Sequence, residues 1–450
     1  MDILQNIVYP QSSTHIQLLE YLLFVTLLIL LPYLSVMIGT TFFSVMHFSK
    51  GKRSGNRKHL IFSRELIDIF TVNKGLSFSL GIIPMLSIML IMGQLLLHSD
   101  LNVNGQLFFA LILLVIGLIY IYTFKYSFRL KNIFNLINKS DFTESSLLKE
   151  YEGLQKSNSK LLSKSGYIGL LLIAFAALIL IGVLQIVADS SKWASDNSLV
   201  NILFSTNTIL YFLFYLAFSF SITSAAIIFK YFKTESKKHN QDYLDFVKSF
   251  ALKTGLIFTF IQPLLFVITV LSSPKSSLSF SIFIAVGIVL TFMLIVSIMF
   301  YIMYKESKTN LGGSTVLVFL ILISVIIYKD QLAIQRTSIL QKENLTKEYQ
   351  LFATQIKEKA GITEIVEING EDIYNAKCIA CHRFDSQLVG PAYNSVLPKY
   401  EGKRADLVDF ILNPRKINPE LPAMPNQGLK PKEAEAIADY IVKTYQNMQK

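Results

Sequence analysis

The only two cysteines of the chain, Cys378 and Cys381, stand three positions apart, and His382 follows at once. That spacing is the pattern for covalent attachment of a c-type haem. Each thiol can add across one haem vinyl group, and the histidine is then held under the iron as an axial ligand. A redox dithiol and half of a zinc site are the competing readings. Such a dithiol sits at the strand-to-helix junction of a thioredoxin-like fold, and nothing here has that pattern. Zinc needs two more ligands nearby, and no third cysteine exists. Met424 lies 42 residues after His382, inside Leu421-Pro422-Ala423-Met424-Pro425. The prolines restrict φ and stiffen that loop, so a thioether can be offered to the iron's other face. A Met/His pair makes a high-potential electron carrier.

These ligands need a small scaffold to hold them, and residues from about 363 to 450 resemble a class I cytochrome c. Gly370 to Tyr374 lead a short helix into the Cys378-Ile379-Ala380-Cys381-His382 motif. Val389-Gly390-Pro391 follows, then Asn413-Pro414, then Met424-Pro425. A last helix, Lys432 to Tyr445, would pack Ile437, Tyr440 and Ile441 against the first helix near Tyr374. The resemblance covers about a fifth of the chain. It implies one covalent haem c, bound by Cys378, Cys381, His382, Met424 and Pro391. His382 and Met424 would ligate the metal, and the Pro391 carbonyl would accept the hydrogen bond from the histidine Nδ1. Met448, beyond the last helix, is the poorer sixth-ligand candidate.

The rest of the chain belongs to a different solvent. Of 450 residues 52% are hydrophobic and 16% charged, and the mean hydropathy is +0.47. Those values indicate a membrane class. With both cysteines used by the haem motif, structural disulfides are excluded. The resemblance also implies a compartment, because haem c is attached on the periplasmic side in bacteria. Residues 363–450 hold 11 basic and 12 acidic side chains, a net −1, so the preceding part carries +12 of the overall +11. A basic chain raises the question of nucleic acid. Here the excess flanks membrane segments, and that reading is rejected.

Residues 1–16 contain no lysine or arginine and lack the charged front of a cleaved signal peptide. Apolar stretches follow at about 17–46, 75–98, 106–127, 166–188, 202–230, 247–271, 279–304 and 313–329. Each is of a length to cross a hydrocarbon layer of ~30 Å as a helix. The connections at 47–74, 125–165, 230–248 and 305–312 carry 22 Lys and Arg in total, and those at 98–105, 189–200 and 272–278 carry 2. By the positive-inside rule the first set is cytoplasmic. Eight spans with both ends outside is the topology that satisfies this count, and it puts the haem domain where haem c is attached.

The expected division is a transmembrane domain at 1–330, a helical linker at 331–362 and a cytochrome c domain at 363–450. The connection at 125–165 has Phe128, Leu130, Ile133, Phe134, Leu136 and Ile137 near helical spacing among lysines. It reads equally as an amphipathic surface helix or as a continuation of the preceding span.

Eight helices exceed what an anchor needs, so the membrane part should have a task. Haem b normally takes histidines well inside spans. His47, His59 and His239 fall in cytoplasmic connections, and His15 and His98 at outer span ends, so haem b is not expected. A quinol site needs an apolar cleft and a few polar groups. Glu20, Gln94 and His98 lie near the outer surface of spans one and two, with Gln94 and His98 at i, i+4 on one face. The polar residues Gln185, Asn207 and Gln262 read as interhelical glue. Gly81-Ile82-Ile83-Pro84 with Gly93-Gln94 is faintly similar to polytopic respiratory subunits such as cytochrome bd subunit I. The buried histidine ligands of that subunit have no counterpart here.

The sequence therefore predicts an all-α fold, an eight-helix transmembrane bundle followed by an extracytoplasmic class I cytochrome c domain, in a bacterial inner membrane. It predicts a one-electron carrier between a quinol-oxidising complex and a soluble cytochrome or terminal oxidase. The alternatives are a membrane domain that is itself a quinol:cytochrome c oxidoreductase subunit, or a scaffold in a larger respiratory complex. Membrane lipid is a partner and nucleic acid is not.

Overall fold

In lipid, backbone N–H and C=O groups find partners only within a helix or a closed barrel, and the apolar runs of this chain are helical. The computed structural model describes residues 11–71, 73–137, 144–194, 198–234, 239–360 and 369–449. Its regular elements are all helical. The chain divides into two compact units, Met1–Ala353 and Thr354–Lys450.

The first unit begins with α1 (Ser13–Ser54), α2 (Arg57–Phe70), α3 (Lys74–Leu95), α4 (Asn104–Phe134) and α5 (Ser145–Val187). It continues with the short α6 (Leu199–Phe204), then α7 (Thr206–Phe229), α8 (Gln241–Leu271), α9 (Phe280–Lys305) and α10 (Gly312–Thr337). All of these but α2 and α6 are long and apolar enough to cross a membrane, which makes eight. They cover the eight stretches expected from the sequence.

Several helices run well past the apolar stretch that reveals them. α4 and α5 extend towards each other on either side of 138–143, which lie outside the described residues. Their extensions are stitched by Asn158 Nδ2 donating to the Ser127 carbonyl at 3.0 Å and Tyr151 OH to the Phe134 carbonyl at 2.6 Å. Within 125–165 the described helical residues are thus continuations of α4 and α5, and not a separate surface helix. Small residues let the two backbones approach. A Cβ at Gly117 would lie 2.7 Å from Ile173 Cγ1, and one at Gly169 would lie 2.8 Å from Ile121 Cγ1.

The amphipathic helix of this side is α2. Gly55, at φ 64°, makes the left-handed turn out of α1. Asn56 then caps α2, its Oδ1 accepting from the Lys58 N–H at 2.9 Å. Phe62, Leu66 and Ile67 are fully buried, each worth about 1.5–3 kcal/mol of apolar burial. Ser63 and Ser44 bond across the α1–α2 contact, the Ser63 hydroxyl donating to the Ser44 carbonyl at 2.7 Å.

Residues 331–353, read from sequence as linker, belong to the first unit. α10 continues to Thr337, and α11 (Ile339–Lys359) buries Leu345. Glu20 of α1 is paired with Lys342, and Gln335 Nε2 donates to its Oε2 at 2.9 Å. The boundary expected between 362 and 363 lies outside the described residues.

The second unit is built from α12 (Gly370–Ile373), a π-turn at Tyr374–Cys378, α13 (Tyr393–Val396), a 3₁₀ turn at Leu397–Tyr400, α14 (Arg404–Leu412) and α15 (Pro431–Met448). Its core joins Tyr374, Cys378, Tyr393, Leu397, Leu407 and Ile411 to Ala434, Ile437, Ala438 and Ile441 of α15. α12 crosses α15 closely: a Cβ on Gly370 would lie 2.1 Å from the Ala436 carbonyl oxygen. Pro431 opens α15 at a position where a missing N–H costs nothing. Glu433 accepts from the Lys430 N–H at 2.8 Å, which satisfies one of the free donors at that end.

Candidate haem site

The π-turn at Tyr374–Cys378 carries the chain straight into the Cys-x-x-Cys-His motif. The turn is closed by Ile379 N–H to the Tyr374 carbonyl at 3.0 Å, and the motif by His382 N–H to the Cys378 carbonyl at 3.0 Å. Both cysteines are free thiols; Cys378 is buried and Cys381 half-buried. Burial pushes the Cys378 thiol above its ordinary pKa, so it stays protonated at neutral pH.

His382 is fixed from three sides. Its Nδ1 lies 3.0 Å from the Pro391 carbonyl oxygen. A carbonyl can only accept, so Nδ1 donates to it and Nε2 is the nitrogen left free for a ligand bond. The Tyr393 ring stacks on the imidazole at 5.0 Å between centroids and 14° between planes. Gly390 packs against the ring's edge, where a Cβ would lie 2.3 Å from His382 Cε1. Tyr374 OH donates to the His382 carbonyl at 3.1 Å. Burial raises the pKa of both phenols, Tyr374 and Tyr393, so they stay neutral beside the site.

Met424 is half-buried in the irregular segment between α14 and α15. That segment is anchored on Met424's C-terminal side. Asn426 Nδ2 donates to the Leu412 carbonyl at 3.1 Å, and its Oδ1 accepts from the Gly428 N–H at 2.8 Å. Lys377 Nζ donates to the Gln427 carbonyl at 3.0 Å, which ties this loop to the residue just before Cys378. Met448, at the end of α15, is exposed.

The residues fit a covalent haem. The two thiols are unpaired, the imidazole has Nδ1 occupied and takes no protein partner at Nε2 among the described residues. The glycine at 390 is the residue that leaves room for the ring in that pose. Ile379, Leu388 and Val389 form exposed apolar surface beside the motif, where an apolar macrocycle can be covered.

In the membrane unit the structure does not bring Glu20, Gln94 and His98 together. Glu20 is held by Lys342 and Gln335. Gln94 Oε1 lies 3.1 Å from His15 Nε2. α3 ends at Leu95, and His98 leaves it with φ 60°, so the shared face expected from i, i+4 spacing is broken. His98 Nδ1 instead lies 3.1 Å from Glu348. His47 is not in a connection, because α1 continues through Ser54. It is buried, and its Nδ1 lies 2.7 Å from that of His59.

One group of residues escaped the sequence reading. Lys329 and Asp330 fall where the last apolar stretch was expected to end, yet α10 continues two further turns, burying Lys329 and half-burying Asp330. Lys329 Nζ is 2.6 Å from Asp330 Oδ1 and lies over the Tyr211 and Phe266 rings at 5.1 and 5.6 Å. Tyr211 OH donates to Asp330. Adjacent charged residues at the end of an apolar run were the available signal, and an end-of-span position concealed it.

The bundle of short helices around a fixed histidine defines a c-type cytochrome domain behind a multi-pass membrane domain. The comparisons agree. The family described as "Cytochrome C oxidase, cbb3-type, subunit III" matches residues 368–441. Cytochrome c-551 of Pseudomonas denitrificans is 40% identical over 79 residues, 16% of this chain and 94% of that protein. Cytochrome c-551 of Azotobacter vinelandii is 33% identical over 79 residues, with the same coverage of 16% and 94%. No solved structure matches. Through this C-terminal domain the chain belongs to the cytochrome c family.

Proposed function

We propose that this is a membrane-anchored monohaem cytochrome c, which passes single electrons from a quinol-oxidising complex to a soluble cytochrome or a terminal oxidase. The observation that carries the reading is the pose of His382, with Nδ1 engaged by Pro391 and Nε2 left for a metal. Cys378 and Cys381 would hold the porphyrin as thioethers, and His382 and Met424 would be the iron ligands. Bound haem supplies a one-electron Fe(III)/Fe(II) couple, raised in potential by a Met/His pair. The Pro391 carbonyl fixes the imidazole tautomer, Tyr393 and Gly390 fix the ring's plane, and Lys377 holds the methionine loop. The oxidase in the matched family's description supports an oxidase on the acceptor side.

In this reading the protein sits in a bacterial inner membrane with the N-terminus and the haem domain in the periplasm. The 22 to 2 division of basic residues between alternate connections supports that orientation. A tethered domain meets its partners at raised effective concentration. The haem domain's near balance of charge makes long-range steering weak.

A pyridine haemochrome spectrum of the purified full chain tests the reading. Haem c alone is expected, and the Cys378→Ser/Cys381→Ser variant should lose it. Colourless protein, or a b-type spectrum alone, would refute it. Protease should release the haem domain from intact spheroplasts; release only from inverted vesicles refutes the orientation.

A second reading, a membrane part that itself oxidises quinol, is favoured by the Tyr211–Asp330–Lys329 group, in which Tyr211 and Lys329 are buried. An ionisable pair inside a span is a functional hypothesis by default. Asp330 borders a cavity of about 30 Å³ that Gln185 and Tyr215 also line, room for a water beside a carboxylate. Anaerobic short-chain quinol should then reduce the haem of the purified chain, and Asp330→Asn should abolish that reduction. Haem that stays oxidised removes this reading and leaves the carrier intact.

A further inference from the structure

A wide cleft opens on the membrane unit beside the end of α1. It has a volume of about 740 Å³ and is formed by the C-terminal part of α1 and the facing turns of α5. Its construction is legible in the packing. At Gly166 the two helices touch, since a Cβ there would lie 2.8 Å from Val45 Cγ2. One residue on, Tyr167 OH and the Ser49 hydroxyl bond directly across the gap.

The lining changes character along the cleft. Phe42, Val45, Met46 and Leu170 make one end apolar, and Lys50 and Arg53 make the other end cationic. Lys50 and Arg53 have no acidic partner among the described residues, whereas the nearby Lys58 is paired with Asp242 at 2.6 Å. Both are exposed, and Phe42 and Met46 are 37% exposed each. The cationic end is the last part of α1, in the stretch whose basic residues the charge count puts on the cytoplasmic side.

We infer that this cleft is a binding site for an anionic phospholipid of the cytoplasmic leaflet. The phosphate would sit between Lys50 and Arg53, with the Ser49–Tyr167 pair beneath it. One acyl chain would lie along Phe42, Met46 and Leu170. The apolar end is what selects a lipid over a soluble phosphate, because a free anion would leave that surface uncovered. The unpaired cations are what select an anionic lipid over a zwitterionic one. The volume is in the range of sites that enclose a ligand.

Native mass spectrometry of the full-length, haem-loaded chain in mild detergent tests this with phosphatidylglycerol, phosphatidylcholine and glycerol 3-phosphate as separate probes. Phosphatidylglycerol should bind as a discrete adduct in preference to the other two. Lys50→Ala/Arg53→Ala should weaken it roughly thirtyfold, from about 1 kcal/mol for each cation near an anionic headgroup. Lys305→Ala/Lys308→Ala removes the same charge elsewhere and should leave binding unchanged. Leu170→Trp keeps both cations but fills the apolar end, and should also abolish the adduct. Equal binding of phosphatidylcholine, equal binding of glycerol 3-phosphate, or loss in the Lys305/Lys308 variant would each overturn the inference. Circular dichroism of each variant separates a lost site from a lost fold.

Discussion

The ammonium of Lys377 donates to the main-chain carbonyl of Gln427 at 3.0 Å. One residue precedes the first haem-motif cysteine, and the other follows Met424 by three. A single exposed hydrogen bond thus couples the two chain segments from which the iron's opposite ligands would come. Lys377→Ala should leave the fold intact and loosen the methionine loop. Losing about 1 kcal/mol raises the open population roughly fivefold, read as tighter binding of added imidazole or cyanide to the ferric protein.

Met424 itself is the proposed sixth ligand. Met424→Ala should lower the midpoint potential, because the thioether favours the reduced iron, and should open the iron to added ligands. A Met448→Ala variant should do neither, since Met448 is exposed at the end of α15. Protein-film voltammetry on both variants decides between them.

Glycines 390 and 370 should respond differently to an added methyl. At 390 the obstacle is the His382 ring, 2.3 Å from a Cβ, and at 370 it is the Ala436 carbonyl, 2.1 Å away. An imidazole can tilt, and Gly390→Ala should cost about 1–3 kcal/mol of overpacking strain together with a shifted haem spectrum. A helix backbone cannot tilt locally, so Gly370→Ala should separate α12 from α15 and cost more. Denaturant melts of the holoprotein rank the two.

The burial of Lys329 makes it depend on its half-buried partner Asp330. Asp330→Ala leaves an ammonium without its partner in a low-dielectric site and should cost about 3–5 kcal/mol, whereas Lys329→Met/Asp330→Leu should recover much of that loss. Thermal inactivation in detergent, compared across the single and double variants, reads the difference.

Arg404 of α14 grips Asp439 of α15 with two bonds, at 2.6 and 2.8 Å. That hydrogen-bonded guanidinium holds the Asp439 carboxyl below its ordinary pKa. A depressed carboxyl contributes stability that is present above its unfolded pKa of about 3.9 and fades as the pH falls through the lower folded value. Arg404→Ala should raise the Asp439 pKa and flatten this acid limb. The pair is exposed, so salt should weaken the effect. NMR titration of the Asp439 carboxyl gives the shift directly.

Much of this protein is local information. The haem motif is five consecutive residues, and the spans are contiguous runs whose length is set by membrane thickness and whose orientation is set by neighbouring charges. The class I cytochrome pattern, from Gly370 to Tyr445, likewise depends on short segments in a fixed order. Other features rest on partners far apart in the chain. Glu20 meets Lys342, Tyr211 meets Asp330, and Val45 meets Gly166. Hydropathy is an average over a window, so it located the ends of α1, α4 and α10 at the last apolar residue. The helices continue until their backbone hydrogen bonds and buried faces run out, and that depends on which helix lies alongside. Side-chain partners follow from that packing, which no window on the sequence contains. For that reason the candidate haem residues stand out in the sequence, whereas the α1–α5 cleft and the Lys329–Asp330 pair emerge only once the helices are assembled.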